Sequence, residues 1–207
     1  VSPTAGDQVL LTPVDGWLDG ASNTLHIQGS TYAGADDRSA LTMSSDFSGS
    51  KMCIKGSTAV VEYPCTAVPP APDCWATTWG AGIYLNLNQA AVGSTRAAFD
   101  AKAVQGFAFD LSGPSVPPRS YFRFQVEAAD PDLAYCLQYS FNPGANLALL
   151  SQLNSERVLP ICSPSVHSVE TANYAASRLV RLKWMVMATL QEIPYDFCVS
   201  NVRAVLK

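Results

Sequence analysis

Tyr84, Asn86 and Asn88 occupy alternate positions of the stretch Trp79-Gly-Ala-Gly-Ile-Tyr-Leu-Asn-Leu-Asn88. An aromatic plate flanked by two carboxamides can meet both the C–H face and the hydroxyls of a sugar ring. Ile83, Leu85 and Leu87 fall between them, the period-two pattern of a strand with one buried face and one face free for work. A solvated strand shows the same alternation, so these residues alone leave both readings open. A second segment repeats the pattern: in Tyr121-Phe-Arg-Phe-Gln-Val-Glu127, Phe122, Phe124 and Val126 are expected inside, and Tyr121, Arg123, Gln125 and Glu127 outside. The guanidinium of Arg123 and the amide of Gln125 suit vicinal hydroxyls. Trp75 and Trp79 precede the first strand and could form a stacking platform, although burial in a core is the commoner fate of tryptophan.

Other chemistry is thinly represented. A glycosidase needs two carboxylates on either side of one bond, and Glu127 with Asp110 or Asp100 is the available pairing. Only Glu127 stands on an outward strand position. His26 and His167 have no Ser or Cys in a nucleophile elbow, so a hydrolytic triad is not supported. Asp36 and Asp37 could offer oxygens to calcium, but a solvated polar loop, Ala33 to Arg38, is the better reading of them.

Composition narrows the class. With 14% charged residues, a net charge of −4 and no basic stripe, the chain has no footprint for nucleic acid. No apolar run reaches the roughly 20 residues that span a bilayer, so membrane insertion is not expected. The polar start at Val1 fits a chain whose targeting sequence has been removed. Six cysteines without a Cys-x-x-Cys pair, beside two histidines, argue for disulfides rather than zinc, and hence for a secreted or cell-surface location. The expected pairs are Cys65–Cys74 across a proline-rich excursion, Cys136–Cys162 across a long loop, and Cys53–Cys198 between distant strands.

These residues must be carried by strands. About eight short ones are expected, including Thr24 to Gln28, Met52 to Gly56 running on toward Glu62, Val104 to Gly113, Leu133 to Phe141, Val180 to Met187 and Tyr195 to Val205. In Val104 to Gly113, Phe107, Phe109 and Leu111 face the core. In Val180 to Met187, Leu182, Trp184 and Val186 face inward and Arg181, Lys183, Met185 and Met187 outward, against a competing helix through 168–190. Residues 142–160 read as a loop, and 168–177 as one short helix. Residues 1–13 read as a linker or irregular segment within a single domain, 1–207. The whole is all-β, a jelly-roll sandwich of two antiparallel sheets with at most one short helix.

Four segments, taken in order, carry a family likeness. Leu25-His-Ile-Gln-Gly29 is similar to an early strand, Trp79 to Tyr84 to a glycine-rich strand, Asp100 to Gly113 to an Asp-led Gly-aromatic-x-Phe strand, and Tyr195 to Arg203 to a closing strand. Together they make the sequence resemble the galactose-binding-like jelly rolls that serve as carbohydrate-binding modules in secreted bacterial polysaccharide-degrading proteins. The resemblance implies non-catalytic binding of a β-glucan or other plant-type polysaccharide on a concave sheet face or adjacent loops, in a module appended to a larger secreted protein. It implies no required cofactor and a structural calcium at the sandwich edge, for which Asp15, Asp19, Asp196 and Asn201 are the candidates. Asn201 departs from the family's acidic residue there. A jelly-roll glycosidase or lyase and a surface adhesion module are the alternative functions.

Overall fold

The computed structural model describes residues 7–43, 51–61, 78–129, 134–138, 141–155 and 178–207. Thirteen strands lie among them: β1 Gln8–Leu10, β2 Trp17–Leu18, β3 Gly29–Ala35, β4 Ala40–Met43, β5 Lys51–Ser57, β6 Gly80–Asn86, β7 Val104–Ser115, β8 Phe122–Ala128, β9 Ala134–Gln138, β10 Gly144–Leu149, β11 Asn154–Ser155, β12 Leu179–Met187 and β13 Pro194–Leu206. They form two antiparallel sheets. One has the order β10-β7-β13-β5-β4 with β1 added beside β13, and the other the order β11-β9-β8-β12-β6-β3-β2. The only helical turns among the described residues are 3-10 turns at Gly20–Ser22 and Leu150–Gln152.

The inward faces follow from alternation. Phe107, Phe109 and Leu111 of β7 meet Phe122, Phe124 and Val126 of β8 and Leu182, Trp184 and Val186 of β12, all at most 2% exposed. Their rings interlock across the two sheets, with Phe109 and Phe124 stacked at 5.5 Å and Trp184 edge-on to both, 5.6 and 5.8 Å away. Cys53 and Cys198 are register partners on β5 and β13 and are joined by a disulfide. They alternate with Met52, Ile54, Phe197 and Val199, all buried in the core, which puts the bridge on the sheet's outer side. Cys136 is also disulfide-bonded. The expected partner Cys162, and the expected pair Cys65–Cys74, lie outside the described residues.

Several sequence expectations are corrected. Residues 24–28 are not a strand: the Asn23 side chain both donates to Ile27 O (2.8 Å) and accepts from Ile27 N (3.0 Å), and His26 takes φ 53°. That local cradle occupies the backbone groups a ladder would use. The strand begins instead at Gly29 and absorbs Ala33 to Ala35 of the expected loop. In the expected linker, Gln8–Leu10 pairs with β13 and Leu11 is buried. Leu147 and its neighbours are not loop but β10, an edge strand on β7. β5 stops at Ser57, and among the described residues beyond it an isolated bridge joins Val60 to Thr189. The expected helix at 168–177 lies outside the described residues, while 179–187 is strand, as its alternation indicates.

Asn201 has a structural role of its own. Between Ser200 and Arg203, β13 holds one more residue than β7 does between Asp110 and Ala108, which is a bulge. Asn201 absorbs it at φ 49°, a left-handed conformation that asparagine tolerates better than most side chains. The extra residue moves the inward positions from Phe197 and Val199 to Val202 and Ala204.

Candidate functional site

The outer face of the seven-stranded sheet is built from the side chains that alternate with the core. Register places Tyr32, Tyr84, Lys183 and Gln125 in one row across β3, β6, β12 and β8. Asn86, Arg181 and Glu127 form the adjacent row. Tyr32 and Tyr84 stack at 4.9 Å with their planes 9° apart. Gly34, one row further, leaves room for the Tyr84 ring: a Cβ there would lie 3.4 Å from Cε2.

Charge is organised around Glu127. Arg181 donates to its Oε2 through Nε (3.0 Å) and Nη2, and Lys183 Nζ lies 2.8 Å from the same oxygen. Arg181 also donates to the Tyr32 hydroxyl and sits 5.9 and 5.2 Å from the Tyr32 and Tyr84 ring centroids. Burial works against ionisation of Glu127, yet Lys183 and Arg181 together hold its carboxyl below the usual carboxylate range. Burial pushes the Tyr84 phenol well above its ordinary value.

A lowered carboxyl pKa stabilises the fold above the ordinary value of 4.5 and ceases to do so as pH falls through the folded value. Glu127→Gln is therefore expected to cost about 1–2 kcal/mol at pH 7, less than a fully buried pair because all three groups keep some solvent. Urea denaturation of both proteins should show this difference narrowing toward pH 3. A constant difference across that range would mean that the carboxylate does not act as an ion.

The outer face is less open than the alternation predicts. Tyr84 (7% exposed), Asn86 (3%), Arg123 (0%) and Gln125 (6%) are buried, so a freely solvated polar face is corrected for all four. Neither Arg123 nor Gln125 is free. Tyr84 belongs to a second apolar cluster with Met185 and Met187, packed against Tyr32 and a half-buried Trp79. Asn88 turns to a loop, donating to Ala98 O (2.8 Å). Tyr121 lies away from the row, where its hydroxyl accepts from Gln191 (2.6 Å) beside a cleft with Pro118 and Pro194. Trp75 lies outside the described residues.

What remains accessible is the edge of this face. Tyr32 is half-buried and borders a depression of about 550 Å³ whose wall includes Ser30, Asn86, Gln89, Ser94 and Arg96. Sequence reasoning missed Tyr32 and Arg96. Ser30, Tyr32 and Gly34 do alternate with Thr31 and Ala33, but the strand was expected to end at Gly29.

The calcium candidates do not converge. Asp19 caps the 3-10 turn through Ala21 N (2.9 Å), Asp15 stands in a tight turn at φ 49°, Asp196 pairs with Lys55 (3.8 Å), and Asn201 donates to Asp110 (2.7 Å). Among the described residues no three His, Cys, Asp or Glu side chains are grouped to share a metal ion, so the three aspartates do not form one carboxylate cluster. Asp36 gives its carboxylate to the backbone N–H groups of Arg38, Ser39 and Gly80. The carboxylate pair is not assembled either. Asp110 alternates with Phe109 and Leu111 on the outside of the other sheet, opposite Glu127, and Asp100 accepts from Lys102 N within an exposed turn.

No protein-family model matches the sequence, and no curated protein matches it. Among the solved structures similar to it are two that it covers almost completely. One is a family 11 carbohydrate-binding module from Clostridium thermocellum in complex with a β-1,3-1,4-mixed-linked tetrasaccharide, 12% identical, with 98% of this chain and 97% of that chain covered and a TM-score of 0.50. The other is the solution structure of CtCBM11, 12% identical, with 99% and 98% covered and a TM-score of 0.51. At this identity the likeness establishes the fold, a jelly-roll sandwich of the kind the sequence predicts.

Proposed function

We propose that this chain is a non-catalytic carbohydrate-binding module that holds a plant-type polysaccharide at the Tyr32 edge of the seven-stranded sheet. The observation that carries the reading is Tyr32 itself: an accessible ring, stacked on Tyr84 and held at its hydroxyl by Arg181, beside a polar depression. A ring fixed before binding loses little freedom on contact, and stacking a sugar on it contributes roughly 1 kcal/mol beyond area burial. A module of the same fold has been solved with a mixed-linkage glucan fragment, which supports the class of ligand. The separation of Glu127 from Asp110 and Asp100 favours binding over glycosidic cleavage. The Cys53–Cys198 bridge and the bonded Cys136 support an oxidising, extracytoplasmic setting.

Affinity electrophoresis and calorimetry over mixed-linkage β-glucan, xylan, mannan and pectin, with calcium in the buffer, test the reading. Retention by at least one is expected, and Tyr32→Ala should weaken it about tenfold, or 1.4 kcal/mol. Retention by none would sink the proposal. Release of reducing sugars or unsaturated products would replace it with the enzymatic alternative.

A further inference from the structure

The depression beside Tyr32 has an inventory of donors and acceptors that can be followed atom by atom. Gln89 Nε2 donates to Ser94 O (2.9 Å), which fixes the amide so that its Oε1 faces Ser30 and Asn86. That oxygen accepts from Ser30 N (3.0 Å), Ser30 Oγ and Asn86 Nδ2 (3.0 Å). Ser94 Oγ is engaged with Ala91, donating to its carbonyl (2.8 Å) and accepting from its N–H (3.0 Å). The hydroxyl donors of Ser30 and Ser94 and the amide donors of Asn86 are thus spent within the wall, and Gln89 uses one of its two amide N–H groups. Asn86 Oδ1 is buried behind the wall, out of a ligand's reach.

Arg96 stands on the same wall, exposed, and pairs with no carboxylate among the described residues. Its backbone is held: Gln89 and Arg96 bridge across a turn whose tip, Gly93, has φ 78°, and Ala97 N donates to Asn88 O (2.8 Å). The depression therefore offers one forked cation and the exposed Thr95 hydroxyl beside an aromatic ring. A ligand that complements it presents an anionic acceptor to the first and a hydroxyl to the second. A neutral hexose supplies the hydroxyl but only single hydroxyl oxygens for the guanidinium. A ring bearing a carboxylate supplies both, and a carboxylate takes two parallel hydrogen bonds from an arginine fork.

We infer that this depression is a subsite for an acidic sugar, a hexuronate unit whose carboxylate is held by Arg96 while a ring hydroxyl meets Thr95 and the ring lies against Tyr32. The inference rests on the proposed function and names the ligand chemistry of that site. Its volume, about 550 Å³, falls in the range of small-ligand sites. The chain as a whole carries −4, so its long-range field repels a polyanion and attraction has to be local.

The test is affinity electrophoresis in polygalacturonate, neutral mixed-linkage β-glucan and dextran sulfate, with Arg96→Gln and, as a control at an exposed arginine elsewhere, Arg119→Gln. The expected result is retention by polygalacturonate that falls with added salt and is weakened about tenfold in Arg96→Gln, as for loss of one charge-assisted contact, but not in Arg119→Gln. Retention by the neutral glucan without retention by polygalacturonate overturns the inference and leaves the module reading standing. Dextran sulfate held more tightly than polygalacturonate overturns the carboxylate assignment. Equal loss in both arginine variants marks simple ion exchange and overturns the subsite. Retention by no polysaccharide removes the module reading itself.

Discussion

Phe124→Ala is expected to cost about 3–5 kcal/mol of stability, the range for emptying a fully buried aromatic site. Phe124 is 0% exposed, and its ring lies 6.4 Å from Phe107, 5.5 Å from Phe109, 6.2 Å from Phe141 and 5.8 Å from Trp184. Those neighbours come from β7 and β12 and from the segment leading into β10, so the deletion removes contacts on both sides of the sandwich at once. The rings around the hole are themselves locked edge to face. Trp184 is held against Phe109 and Phe109 against Phe141, so collapse into the space is opposed. Set against the 5–15 kcal/mol typical of whole domains, the loss brings the protein close to unfolding at room temperature. Equilibrium denaturation in urea measures it, with Phe124→Leu as the milder companion. A loss below about 1 kcal/mol would contradict the packing described, because so small a cost belongs to surface positions and not to a ring removed from a packed core.

The inward faces of the regular strand stretches were legible because burial in a sandwich imposes period two, which Phe107, Phe109 and Leu111, Phe122, Phe124 and Val126, and Leu182, Trp184 and Val186 obey. The Cys53–Cys198 bridge was legible for a related reason: two strand cysteines distant in sequence needed partners, and β5 lies beside β13. What lies on top of a sheet leaves no such period. Tyr84 and Arg123 alternate correctly and yet are buried, since alternation names a side and not its cover. Residues 24–28 alternate as well, but a single asparagine amide captures Ile27 and delays the strand to Gly29, which hid Tyr32. The bulge at Asn201 was hidden because it is a mismatch between two strands, a property of neither sequence alone.

Tyr84→Ala follows from that difference between a side and its cover. Read from the sequence, Tyr84 is an exposed plate whose loss weakens glycan binding and spares the fold. In the structure it is 7% exposed, stacked on Tyr32, packed with Met185 and Met187, and roofed by Arg181. The substitution is expected to cost about 2–4 kcal/mol in urea denaturation, toward the lower part of the aromatic range because Met side chains adjust to fill space. Binding should weaken too, through Tyr32, which loses the ring it leans on and keeps only the hydrogen bond from Arg181. Tyr84→Phe separates the two contributions. It keeps the ring and its stacking and should leave both stability and glycan retention near the parent values. Should Tyr84→Ala instead keep full stability and lose binding tenfold, the ring would be a ligand platform and the tyrosine pair would have to open in the complex.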